Sequence, residues 1–185
     1  MTTWSIDPTH SSVGFAVKYM MISTVRGTFG DLEGVIEFDE AHPERSRVEA
    51  RIGSASINTG AAQRDGHLRS PDFFDVERYP AVTFRSTAVE PRGDGWAIAG
   101  ELTIRDVTQP VVLEARSYGV VPGMKGGRRA GFAATTRFDR SDFGLAWNVA
   151  LEAGGWLVGD SITIELEVSA VEAVSVPASP PLVVA

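Results

Sequence analysis

The sequence predicts an all-β protein, either a sandwich or a closed antiparallel barrel of about eight strands. Three observations carry this. Apolar residues recur at every second position in segment after segment, the period of a strand with one buried face. Turn chemistry separates the segments. The gaps are too short for the helix that a parallel crossover needs, so neighbours pair antiparallel. Both edges of such a sheet need protection, which closure or stacking supplies. A barrel of this size is either packed solid or holds one small ligand, and periodicity alone does not choose.

The strands follow in order. Val13, Phe15 and Val17 share one face of an early segment, with Ser12, Gly14, Ala16 and Lys18 on the other. Val48, Ala50 and Ile52 alternate with Glu49 and Arg51, and Val82 and Phe84 with Thr83 and Arg85. Trp96, Ile98, Gly100, Leu102 and Ile104 form a longer run, and another extends from Phe132 to Phe138. Ile162, Ile164, Leu166 and Val168 alternate with Thr163, Glu165 and Glu167, the cleanest half-buried strand in the chain. Turns are expected at Gly30-Asp31, Pro91 to Gly95, Pro122-Gly123 and Gly126-Gly127. One segment breaks the period. Ser70 and Pro71 read as the N-cap and first position of a helix, and Ala61 to Leu68 also reads as helical. One or two short helices are therefore expected near residues 61–78, plugging an end of the barrel. Residues 1–173 are read as one domain. Residues 174–185, with three prolines and no charge, are read as a tail outside the fold.

Composition removes several classes of function. The 17 Lys+Arg against 24 Asp+Glu give a formal charge of −7, which argues against a nucleic-acid surface. It argues equally against general adsorption to anionic membranes. Cysteine is absent, so disulfides, thiolate catalysis and thiolate metal sites are excluded. The three histidines, His10, His42 and His67, would nearly all have to converge to hold zinc. No apolar stretch approaches the roughly 18 residues of a membrane-spanning helix. The first residues do not read as a signal peptide, so a cytoplasmic location is expected, or export if a leader has been lost.

Catalytic signatures are missing: there is no Gly-x-Ser-x-Gly, no phosphate loop and no His-Glu-x-x-His. No cofactor is expected. The most suggestive polar block is Arg64-Asp65-Gly66-His67, followed by Arg69 and Asp72. Read as chemistry, Asp65 orients His67 while Arg64 and Arg69 bind an anion. Read as structure, these residues cap short helices and pair on the surface, and this reading is preferred. His10 beside Ser11 cannot act as a base–nucleophile pair on a strand, because adjacent side chains point to opposite faces. Asp7 to Ser11 reads instead as a turn whose Asp and Ser side chains bond local backbone. Asp139, Asp142 and Asp160, with Arg137 and Arg140 nearby, read as surface ion pairs. The tryptophans Trp4, Trp96, Trp147 and Trp156 and nine phenylalanines suit a packed core or an aromatic-lined cavity equally.

The motifs then go beyond pattern. Trp4-Ser5-Ile6-Asp7-Pro8-Thr9-His10-Ser11 and Val25-Arg26-Gly27-Thr28-Phe29 open the chain. Ser56 to Thr59, Arg64 to Ser70, Asp72 to Asp75 and Tyr79-Pro80 follow. Gly100 to Thr108, Arg140 to Leu145 and Val158-Gly159-Asp160 complete the set. Together they resemble the YceI-like, lipid-binding family from Trp4 to about Val171. That resemblance implies an extended lipocalin-like antiparallel barrel whose apolar channel takes up a polyisoprenoid or related long-chain amphiphile, with no chemistry on it. It also makes a homodimer plausible. The implied channel wall is Phe15, Val17, Phe29, Phe84, Trp96, Ile98, Leu102, Phe132 and Trp147, and the head-group candidates are His10, Arg64 and His67. Two departures stand out: Tyr19-Met20 where relatives often carry His-Met, and Asp106 where they carry glycine. The competing readings are an interaction protein with a filled barrel, and a hydrolase or isomerase using His67 and Asp65.

Overall fold

The computed structural model describes residues 1–39, 41–124 and 126–173, so the expected tail at 174–185 lies outside the described residues. The strands are β1 (Thr2–Ile6), β2 (Ser12–Tyr19), β3 (Ser23–Phe29), β4 (Leu32–Phe38), β5 (Arg47–Gly53) and β6 (Ile57–Asn58). After the helix α1 (Ala62–Arg69) come β7 (Ala81–Arg92), β8 (Gly95–Ile104), β9 (Val107–Pro122), β10 (Arg128–Asp139) and β11 (Val158–Glu172). Eight of them close an antiparallel ring in the order β1, β4, β5, β7, β8, β9, β10, β11, which shuts where β11 returns to β1. One edge of β11 has two partners. Its last residues pair with β1, Ile6 opposite Ala170, and its earlier ones with β2, from Ser12 opposite Glu167 to Tyr19 opposite Val158. β2 then extends the sheet through β3 to β6.

The expected turns fall between strands: Gly30-Asp31 joins β3 to β4, Gly93-Asp94 joins β7 to β8, and residues 123–127 join β9 to β10. The runs named from the sequence do not include β1, β3, β4, β6 or β9. In β4 the signal is present, since Leu32, Ile36 and Phe38 alternate with Glu33, Val35 and Glu37. In β9 it is blunted by Pro110. That proline is tolerated because β9 pairs with β10 only from Glu114 onward, so its missing N–H falls on an unpaired edge.

The helical expectation needs one correction. Only α1 forms, and Ser70 ends it: the Ser70 N–H and hydroxyl both donate to the His67 carbonyl. Residues beyond Pro71 are turns. Asp75 lies in the left-handed region at φ 47°, and the N–H groups of Phe74 and Val76 donate back to Leu68 and Arg69. A proline directly after the last helical turn stops a helix as readily as it starts one. Among the described residues, no helix is long and apolar enough to cross a membrane.

Candidate functional site

The inward faces of the ring do not meet. They enclose a cavity of about 250 Å³, bordered by residues of all eleven strands. Strand period explains the wall. Val13, Phe15 and Val17 of β2, and Ile162, Ile164, Leu166 and Val168 of β11, face inward, while Lys18, Glu165 and Glu167 face out. Phe29, Phe84, Trp96, Ile98, Leu102 and Phe132 also border the cavity. Two glycines make room for rings. Phe15 stands opposite Gly27, where an added Cβ would lie 2.4 Å from its Cζ, and Phe84 lies in the same way on Gly100.

One end of the cavity is plugged by Leu68 of α1 with Phe73 and Phe74, the last edge-on to Phe29 with ring centres 5.7 Å apart. Toward the other end Phe38 meets Trp96 at 5.6 Å and Phe132 at 5.7 Å. Only Ser46, Thr136 and Arg140 are polar among the bordering residues. On one flank β9 and β10 separate below Glu114 and Thr135. Val111, Thr136 and Phe138 there border both the cavity and a groove on the outer surface, and the Gln109 amide bridges the gap to the Asp142 carbonyl at 2.9 Å.

Arg140 is the buried charge of the site, 5% exposed. Its guanidinium donates to the carbonyls of Gly159 (3.0 Å), Trp147 (3.0 Å) and Leu145, with Asp160 4.0 Å away. Burial lowers its pKa, opposed by Asp160. Sequence reasoning placed Arg140 among surface charges. The motif Arg140 to Leu145 was visible, but only the fold turns this side chain inward.

Trp147 was assigned to the channel wall but does not border the cavity. It sits outside the plug, edge-on to His67 at 4.6 Å and tilted on Phe73 at 5.5 Å. It belongs to the irregular segment after β10, where no strand period dictates a side chain's face. None of the head-group candidates borders the cavity either. His10 is exposed and bonds to Asp7 at 2.8 Å. Arg64 is folded onto Thr59, donating to its hydroxyl at 2.7 Å and its carbonyl at 3.0 Å. His67 lies closest, separated from the cavity by the Phe73 ring, and its Nε2 bonds to Asp72 at 2.8 Å.

The proposed dyad of Asp65 and His67 does not form. Asp65 is buried and accepts from the N–H (2.9 Å) and hydroxyl (2.5 Å) of Thr59. The Thr59 hydroxyl is the main reason its carboxyl is held below the usual carboxylate range. Arg69 donates to the carbonyls of Ala55 and Ile57, both at 2.8 Å. The whole block clasps α1 to the β6 edge.

In the Asp7 turn, Asp7 does bond local backbone at Thr9, but Ser11 exchanges hydrogen bonds with the backbone of Ser169 across the sheet. Asp160 accepts from Ser141 and Arg137 donates to Ser161, so the three aspartates form no carboxylate pair. Asp106 accepts from the Tyr79 hydroxyl at 3.1 Å. Among the described residues no three of His, Asp and Glu converge as a metal site.

These features define a class: a closed eight-strand antiparallel barrel that keeps an apolar cavity and plugs one end with a helix and an aromatic turn. A family model for the YceI-like domain matches residues 4–170. The chain is 41% identical over 136 residues to protein YceI of Escherichia coli O157:H7, covering 74% of this chain and 71% of that protein. The crystal structure of the Campylobacter jejuni YCEI protein matches with a TM-score of 0.72 and 34% identity over 84% of this chain and 90% of that one. A polyisoprenoid binding domain from Saccharophagus degradans shares the fold at a TM-score of 0.63 and 14% identity, covering 94% of this chain and all of that one. The chain belongs to the YceI-like family.

Proposed function

We propose that the barrel binds a long-chain amphiphile, a polyisoprenoid or a close chemical relative, and does not transform it. One observation carries the reading: the cavity wall is hydrocarbon and aromatic along its length, and its single charge, Arg140, is already committed to carbonyls. Such a wall rewards chain length. Each buried methylene contributes about 0.8 kcal/mol, so an extended apolar chain offsets the costs of association without a strong polar contact. The wall's two hydroxyls, Ser46 and Thr136, have no imidazole, carboxylate or amine among the bordering residues to activate them, which also supports binding over chemistry. The polyisoprenoid class rests on the Saccharophagus degradans domain that shares the fold. Among the residues named for a head group, His67 is best placed, because its ring meets that of Phe73, which borders the plugged end of the cavity.

Native mass spectrometry of gently purified protein, followed by organic extraction, tests this reading. A stoichiometric long-chain isoprenoid adduct is expected. A mass that stays ligand-free after incubation with polyprenyl lipids refutes it and favours an interaction role for the outer face.

A further inference from the structure

We propose that the β2–β3 turn and the loop before β11 form a docking tip for an anionic phospholipid bilayer. Tyr19, Met20, Met21 and Ile22 make the turn, and Met21 and Ile22 are 72% and 83% exposed. The adjoining loop adds Val149 and Trp156, the latter 58% exposed. The two segments are one unit. The Met20 N–H donates to Leu157 at 2.8 Å, and the Leu157 N–H to Val149 at 2.9 Å. A Cβ on Gly155 would lie 3.0 Å from the Met21 sulfur.

The backbone says that these side chains are displayed at a cost. Met20 and Met21 both lie in the left-handed region, φ 49° and 62°, closed by the Ile22 N–H on the Tyr19 carbonyl at 3.2 Å. Left-handed turn positions ordinarily go to Gly, Asn or Asp. Two methionines there present large, deformable apolar groups to solvent. Tryptophan and tyrosine beside them suit the boundary between head groups and acyl chains.

Charge selects the occupant. The chain carries −7 overall, yet from Ser12 to Phe29 its only charged residues are Lys18 and Arg26. From Gly144 to Leu157 the only one is Glu152. Lys18 is exposed and, among the described residues, forms no ion pair, while Arg26 lies 3.8 Å from Glu165. With Arg26 facing Glu165 and Glu152 in the second segment, the tip is close to neutral within an acidic protein, and the exposed Lys18 is the cation placed to meet phosphate head groups over hydrocarbon. This refines the expectation from composition, which spoke against adsorption by the whole surface. A convex three-residue turn with one loop is also a poor fit to the roughly 800 Å² per partner of a stable dimer. The tip also prolongs the cavity: Val17 and Val158 border it, and Val158 pairs with Tyr19. Transfer of an apolar chain between bilayer and barrel at this end rests on the binding reading above; docking itself does not.

The test is flotation of the full chain with phosphatidylcholine vesicles that contain phosphatidylglycerol, beside thermal unfolding, sedimentation and native mass spectrometry of lipid-loaded protein. The wild type is expected to float. Ile22→Asp and Trp156→Ser should each lower the partition coefficient by about tenfold or more, with thermal midpoint and cavity lipid unchanged. Lys18→Gln should weaken flotation on anionic vesicles only. A wild type that retains lipid but stays with the soluble fraction overturns the docking proposal and leaves the binding reading intact. Flotation without any cavity lipid does the reverse. A dimer that Ile22→Asp dissociates, without flotation, assigns the tip to a second copy and overturns the proposal.

Discussion

Gly27→Ala tests the wall and the cavity together. The new Cβ would stand 2.4 Å from Phe15 Cζ and 2.6 Å from Cε1, and 3.0 Å from the Asn58 carbonyl oxygen. Carbon atoms in contact sit about 3.5–4.0 Å apart, so the ring must retreat by about 1.1–1.6 Å. Backbone confines it on the sheet side, and Phe29 lies beside it with centres 5.7 Å apart. The open direction is the cavity. Overpacking costs about 1–3 kcal/mol, and the stiffer unfolded chain returns about 0.4–1 kcal/mol. A net loss of about 1–2 kcal/mol lowers the midpoint by a few degrees. If the ring displaces two methylenes of ligand, affinity falls by about 1.6 kcal/mol, on the order of tenfold. Thermal unfolding and titration with a fluorescent polyprenyl probe read both quantities. Gly30→Ala, with open space around its Cβ position, is the control: it should leave affinity unchanged and raise the midpoint slightly, through the stiffer unfolded chain alone. Adding Phe15→Leu to Gly27→Ala should restore binding. Unchanged affinity in Gly27→Ala alone would refute the placement of the ligand against this wall.

Three further outcomes follow from the same structure. Arg140→Met leaves the carbonyls of Leu145, Trp147 and Gly159 without their donor; a loss on the order of 3–5 kcal/mol is expected in urea titrations, with an unchanged m-value. The Asp7 carboxyl is held far below the usual range by the Thr9 hydroxyl, then by Arg129 and His10. A lowered folded pKa means that the unfolded chain takes up the proton first, so this contribution is full above about pH 4 and fades as pH falls further. Asp7→Asn should flatten the acid limb of stability against pH, and an unchanged limb would count against the assignment. Thr136→Phe narrows the gap where β9 and β10 separate, and should slow lipid uptake in stopped-flow loading more than it lowers the amount bound at equilibrium.

Much of the fold was legible because a strand writes its buried face into every second residue. Val13 to Val17, Trp96 to Ile104 and Ile162 to Val168 name their strands and their inward faces without any knowledge of partners. Turn residues such as Gly30-Asp31 and Gly93-Asp94 act through local dihedral preference and were readable for the same reason. Where two local signals competed, reading failed. Ser70-Pro71 is compatible with a helix start, yet the carbonyls of Leu68 and Arg69 at the end of α1 accept from the N–H groups of Phe74 and Val76, which holds the residues after Pro71 in turns.

The sequence by itself therefore determined an antiparallel β protein, the inward set of its strands and the absence of thiol chemistry. Tertiary structure decided the rest. Closure through β11 and β1 depends on residues more than 160 positions apart, and no local period encodes such a pairing. Whether inward side chains meet or leave a cavity depends on how far apart the faces stand, a sum over many long-range registers. Trp147 and Arg140 lie outside the strands and His67 on a short, mostly polar helix, so their surroundings are set by whatever the closed barrel brings against them.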